Sequence, residues 1–104
     1  MLIPGKKKEL LLAIINKIRK KVASKEYEFA IPHFFEEMAN DNLIFADIEI
    51  AIANGQIERK FSRDQIGMRY EIIGSAGGGR KIAIICRIKD TGKLLFITIY
   101  ALRK

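Results

Sequence analysis

Two prolines, one cysteine, one histidine and no tryptophan occur in 104 residues. A single cysteine, Cys86, cannot form an internal disulfide. With His33 as the sole imidazole, a zinc site of the Cys/His type lacks ligands. No metal or other cofactor is expected. Long apolar runs are also missing. The longest near the start, 10–15, is too short to span a bilayer, and no small-residue cleavage site follows it. These absences predict a cytoplasmic protein without a membrane partner, in which Cys86 is a small buried hydrophobe. Repeats, linkers and low-complexity tracts are absent too, so 1–104 reads as one domain, large enough to bury a core without staples.

Charge is present in excess and is unevenly placed. Residues 1–25 hold eight Lys/Arg and one Glu, residues 26–58 hold eight Asp/Glu and no Lys or Arg, and residues 59–104 hold eleven Lys/Arg against three Asp/Glu. The chain is basic, acidic and basic in turn. The acidic middle can lie against its flanks, but a net +7 and a pI near 9.7 remain. That surplus favours a polyanionic partner such as nucleic acid, or an acidic protein.

Hydrophobic periodicity predicts the elements. Leu10, Ile14, Ile18 and Val22, with Leu11 and Ile15, form the apolar stripe of a helix over 6–23. Lys8, Asn16, Arg19 and Lys20 oppose it, flanked by Lys6, Lys7, Lys17 and Lys21, as a solvated or phosphate-facing basic side. A short strand over 27–31 ends at Pro32. Helices follow over 33–39 and 45–53, the second stopped by Asn54-Gly55. Residues 56–61 alternate as a strand, with Ile57, Arg59 and Phe61 on one side, and 62–67 is a polar loop. Three strands close the chain at 68–73, 81–88 and 94–101. Helices followed by grouped strands imply an α+β fold, a mainly antiparallel sheet of four to five strands carrying helices on one face.

Side chains alternate along a strand, so parity sorts the last block into two faces. Leu95, Ile97, Ile99 and Ala101 are expected to share an apolar row with Ile82, Ile84, Cys86 and Ile88. Arg87, Phe96, Thr98 and Tyr100 form the opposite face, joined by Arg69 and Glu71. Arginines beside a tyrosine and a threonine suit metal-independent phosphodiester chemistry. Cleaving RNA through its own 2′-hydroxyl needs a base, an acid and cations for the charge gathering at phosphorus. Arg69 and Arg87 supply planar charged clamps, and Tyr100 can stack on a base or donate a hydrogen bond. His33 is the only side chain whose ordinary pKa lies near neutrality, which makes it the candidate proton carrier. The loop from Gly74 to Arg80 has the Gly-x-x-x-x-Gly spacing of a phosphate cradle. Arg80-Lys81 replaces the Lys-Ser/Thr of such loops, and a strand follows instead of a helix. It reads as a flexible hairpin loop in which Arg80 and Lys81 can meet a phosphate. The carboxylates Glu36, Glu37, Asp41, Asp47 and Glu49 read as solvated helix faces or contacts for the basic segments.

Several short motifs recur in one order: His33-x-x-x-Glu37-Met38-Ala39, Asp47-Ile48-Glu49-x-Ala51-Ile52-x-Asn54-Gly55, Arg69-Tyr70-x-Ile72-x-Gly74, Gly79-Arg80, and Ile97-Thr98-Ile99-Tyr100-Ala101. In this the chain resembles a family of small bacterial and archaeal domains of unknown function. That family is similar in its order of elements to the BrnT-type and RelE-like toxins, ribonucleases held inactive by an antitoxin. The resemblance highlights His33, Arg69, Thr98 and Tyr100; together with the reading of the sheet face and the glycine-rich loop, it makes His33, Arg69 and Tyr100 the expected catalytic residues and Arg87, Thr98, Arg80 and Lys81 the expected RNA contacts. It also implies an antitoxin-type partner encoded nearby. The chain departs from the pattern at Ile44, where a Ser or Thr would cap the second helix. The expected function is a metal-independent ribonuclease toxin acting on RNA at the polar sheet face. A non-catalytic module binding RNA or a protein is the alternative.

Overall fold

The computed structural model describes the backbone of residues 5–62 and 67–102 and the side chains of 8–61 and 67–102. Most of the polar loop expected over 62–67, and the Lys6 and Lys7 side chains, lie outside the described residues. The elements are α1 (Gly5–Ala23), β1 (Tyr27–Phe29), α2 (His33–Asn40), α3 (Phe45–Asn54), β2 (Gln56–Ser62), β3 (Met68–Ser75), a 3₁₀ turn (Gly77–Gly79), β4 (Lys81–Ile88) and β5 (Leu94–Ala101). They form an α+β fold on one five-stranded mixed sheet of order β1-β5-β4-β3-β2. β1 runs parallel to β5, and every other neighbour pair is antiparallel.

The helix-packed core occupies one face of the sheet. Ile15, Ile18 and Val22 of α1, Phe34 of α2 and Ile48, Ala51 and Ile52 of α3 meet Ile72, Ile82, Ile84, Cys86, Leu94, Phe96 and Ile99. Phe34 and Phe96 are fully buried with ring centroids 5.7 Å apart. Burial of a side chain that size is worth about 1.5–3 kcal/mol. Cys86 is fully buried, and desolvation pushes its thiol pKa up to about 12. It is a packing residue. Gly74 sets how closely α3 approaches β3: a methyl group there would collide with the carbonyl oxygen of Ala51.

Two bulges break the parity that the sequence suggests. In β5, Cys86 pairs with Phe96 while Ile85 pairs with Thr98, so Ile97 is an extra residue. Phe96 therefore joins the core beside Leu94, and Leu95 faces the other way, opposite to the expected rows. In β2, Ile57 pairs with Ile72 and Arg59 with Glu71, leaving Glu58 as the extra residue. Ile57 packs against the core and Arg59 does not, although an unbroken alternation puts them together.

Three carboxylates of the acidic middle, Glu37, Asp41 and Asp47, accept from backbone amides, whereas Glu36 and Glu49 are exposed as the sequence suggests. Beyond Phe96, no strand among the described residues pairs with the outer side of β5, and α2 lies along it. Oε1 of Glu37 accepts from the Ile99 amide at 3.1 Å, and Oδ2 of Asp41 accepts from the Ala101 amide at 2.9 Å. Four helical residues rise about 6 Å and two strand residues about 6.7 Å, so carboxylates four apart match alternate edge amides. Asp47 acts similarly. Its Oδ2 accepts from the Ile44 amide at 3.0 Å, half of a capping box, and its Oδ1 accepts from the Gly77 amide at 3.1 Å. Asn54 exchanges two hydrogen bonds of 2.8 Å with the main chain of Ser75. The 74–80 segment is thus fastened to α3 instead of flexing as a hairpin loop. Arg19 likewise leaves the solvated side expected for it: Nε donates to Ile52 O and Nη2 to Gly55 O, both at 2.9 Å, at the end of α3.

Candidate nucleic-acid interface

The second face of the sheet contributes nothing to the helix-packed core. The strand registers order it into rows. One runs Arg59, Glu71, Ile85, Thr98 and the next Ile73, Ala83, Tyr100. A third holds Phe61 opposite Arg69, and Arg87 opposite Leu95, which pairs with Glu28. At the β1 side, Glu28 is tied to Lys89 at 2.6 Å and lies 3.8 Å from Lys93. The hydrogen bond from Lys89 is the main reason that its carboxyl is held below the usual range.

Glu71 is the centre of this face and is only 3% exposed. Nε of Arg59 donates to its Oε1 at 2.8 Å and Nη2 to its Oε2 at 3.1 Å. The Tyr100 hydroxyl donates to the same Oε2 at 2.8 Å. Tyr100 and Glu71 lie on strands separated by β4. The β4 partner of Tyr100 is Ala83, small and fully buried, which leaves room for the ring to cross. Arg59 is the foremost cause of a Glu71 pKa below the usual carboxylate range, against the opposing effect of burial. Tyr100 is raised, first by its bond to that carboxylate and then by burial. Arg59 is itself raised by Glu71 and packs over Phe61, 4.9 Å from guanidinium carbon to ring centroid. An ionised carboxylate fixed by two donors is a poor proton acceptor, and a tyrosine of raised pKa is a poor acid. The trio is well built for orientation and for presenting cations.

Arg69, Arg87, Thr98 and Tyr100 lie on this face, as the sequence suggests, without Phe96. The Arg69 Nε is buried and has no hydrogen-bond partner among the described residues. His33 is elsewhere. It opens α2, its side chain is 59% exposed, and Nε2 lies 3.2 Å from Oε2 of Glu37, the carboxylate that caps the β5 edge. Tyr100 reaches inward from β5 toward β3, whereas His33 stands on the outer side of β5. The three residues implied as catalytic are therefore not gathered into one cleft among the described residues. Arg80 faces the helices: Nη1 donates to Asp41 O at 2.7 Å and Nη2 to Asn42 O at 3.1 Å, and Asp47 lies 3.8 Å away. Lys81 is exposed at the start of β4, one row beyond Ala83 and Tyr100. An open groove of about 610 Å³ lies at this end, between α2 and the strands.

Arg59 and the central role of Glu71 escape a reading by single strands. The available signal was an opposite-charge pair at matching parity on adjacent antiparallel strands. Among the described residues, no group of three or more His, Cys, Asp and Glu side chains is placed to hold a metal ion, and no helix is long and apolar enough to cross a membrane.

Residues 32–101 match the family described as Domain of unknown function (DUF4258). The chain belongs to the DUF4258 family. The matched span runs from Pro32, just before α2, to the end of β5. It contains every candidate residue above and leaves out α1 and β1. No curated protein and no solved structure matches the chain.

Proposed function

We propose that the open face of the sheet binds RNA, and that this binding is the primary activity of the chain. The observation that carries the reading is the gathering of Arg59, Arg69 and Arg87 with Phe61, Thr98 and Tyr100 on a face that the core does not use. Guanidinium groups hold phosphates with two parallel bonds, and aromatic rings on a sheet give bases a stacking surface. The buried Nε of Arg69 has no acceptor among the described residues, and turning the side chain outward to a phosphate oxygen would satisfy it. The toxin resemblance points to the same ligand. An acidic antitoxin-type protein would occupy the same face and compete with RNA.

Metal-independent cleavage is the second reading, favoured by the Tyr100–Glu71 hydrogen bond beside the arginines. In it the 2′-oxygen attacks phosphorus as the bond to the 5′-oxygen breaks, while Arg69 and Arg87 stabilise the phosphorane and Tyr100 orients it. His33, after α2 has shifted toward the face, takes the 2′-hydroxyl proton and gives it to the departing 5′-oxygen. The position of His33 beyond the β5 edge is why binding comes first. Both are tested in one assay: fluorescence anisotropy of labelled single-stranded RNA in EDTA, with the same samples run on a denaturing gel. Binding that weakens with salt, weakens further in Arg69→Ala and Arg87→Ala, and leaves the RNA intact is expected. Absence of binding by wild type at low salt would sink the reading. Cut RNA, abolished by His33→Ala, would replace it with the ribonuclease.

A further inference from the structure

The groove at the far end of the sheet is separate from the arginine rows, and its walls differ in chemistry. Arg80 forms one side. Two main-chain carbonyls at the end of α2 hold its guanidinium in place, yet 42% of the side chain remains exposed. A fixed, partly open guanidinium plane is a surface on which a nucleobase can stack. Asn40 and Asn42 stand beside it, exposed, with the donor and acceptor pair that reads base edges. Leu102 supplies apolar surface, and Lys81 stands where the groove meets the open face. The carboxylate on the wall, Asp41, has its Oδ2 turned to the Ala101 amide at 2.9 Å.

From these residues we infer that the groove is a nucleotide subsite. A base lies on Arg80 and is read by Asn40 and Asn42, while Lys81 holds the adjoining phosphate. The inference rests on the reading of the open face as an RNA surface and extends it. Arg87 and Lys81 lie on the same side of β4, six residues and roughly 20 Å apart. An RNA strand following β4 past Tyr100 therefore arrives at the groove, and the groove takes its last nucleotide. A volume of about 610 Å³ accommodates one nucleotide.

The test uses the full chain, labelled A6, C6 and U6 oligoribonucleotides, and free AMP, CMP and UMP. Lys81→Ala and Asn40→Ala are suitable variants, because both side chains are exposed; thermal melting checks that each folds. Arg80 is avoided, since it also holds the end of α2. Wild type is expected to prefer one of the three hexamers. Asn40→Ala should reduce that preference about threefold or more, and Lys81→Ala should weaken all three roughly tenfold with a salt slope shallower by about 1. Wild-type binding to which neither variant makes a difference overturns the groove and leaves the open face standing. No binding by wild type to any hexamer overturns both. Mononucleotides bound as tightly as hexamers, in a Lys81-dependent way, support a nucleotide site and overturn RNA as its source.

Discussion

Five arginines are described, and they divide by the side of the sheet that they serve. Arg19 and Arg80, on the helix side, donate to main-chain carbonyls at the ends of α3 and α2. Arg59, Arg69 and Arg87 sit on the open face, where the defined partner of Arg59 is a side chain and the Nε of Arg69 has none among the described residues. A carbonyl at a helix end cannot move without the helix, so the first pair is structural. Arg59 is held by the buried Glu71 carboxylate, whereas a guanidinium without such a partner can be turned toward a ligand at smaller cost. The same residue type therefore fastens the fold on one side and offers charge on the other.

The strongest way to break that division is to disturb the helix side by packing alone. Gly74→Ala forces a methyl group into the Ala51 carbonyl and is expected to cost about 3 kcal/mol or more, read by urea unfolding. Arg19→Ala leaves two carbonyls at the end of α3 without their donor. A loss of about 2 kcal/mol is expected, with RNA affinity within about twofold of wild type. A large fall in affinity without a fall in stability would erase the distinction.

On the open face the stability effects should be smaller. Tyr100→Phe removes one of several bonds to Glu71 and should cost about 1 kcal/mol. Glu71→Gln sharpens the comparison through pH. Because Arg59 foremost holds the Glu71 carboxyl below its ordinary value, the native state favours the ionised form. Its contribution is present above the ordinary carboxylate pKa of about 4.3 and is lost as pH falls through the lower, native value. The stability gap between wild type and Glu71→Gln should therefore be widest near pH 7 and close progressively below about pH 4. A gap that is the same at both ends would mean that the ionised form is not what Arg59 and Tyr100 recognise. The smallest change is expected from Arg69→Met, which keeps the stem and deletes a buried donor without a described partner. Stability should stay within about 0.5 kcal/mol of wild type or rise, while RNA affinity falls about tenfold. A drop of more than about 2 kcal/mol would assign Arg69 to the structural set.

Much of this was legible in the chain itself. The stripe of α1 and the stops at Pro32 and Gly55 are local signals, as is the turn before β5, and the elements they bound are present. The placement of Arg69, Glu71 and Arg87 together follows from β3 and β4, whose register runs without interruption from Ser75 opposite Lys81 to Tyr70 opposite Cys86, next to Arg69 and Arg87. The parity failures trace to two residues. Ile97 and Glu58 are bulges, and one extra residue inverts every parity assignment on one side of it. Nothing in Leu94–Ala101 marks the inversion, because leucine, phenylalanine and isoleucine are acceptable on either side of a sheet. Glu37 and Asp41 were misread for another reason, whereas Glu36 and Glu49 are exposed and Asp47 meets Arg80 as expected. A glutamate on a short helix looks the same whether it faces water or the amide of a distant strand.

Sequence alone therefore determined the element order, the α+β class and the segregation of charge along the chain. Each depends on hydrophobic period and turn chemistry over a few residues. Tertiary structure decided which side of the sheet each residue of β2 and β5 occupies, which arginines are fixed to carbonyls, and that Glu71 joins Arg59 to Tyr100. Those facts depend on register between strands far apart in the chain, which no local pattern records. The place of His33 belongs with them. Its distance from the arginine face is set by α2 running along the β5 edge, where Glu37 and Asp41 meet amides that lack a neighbouring strand.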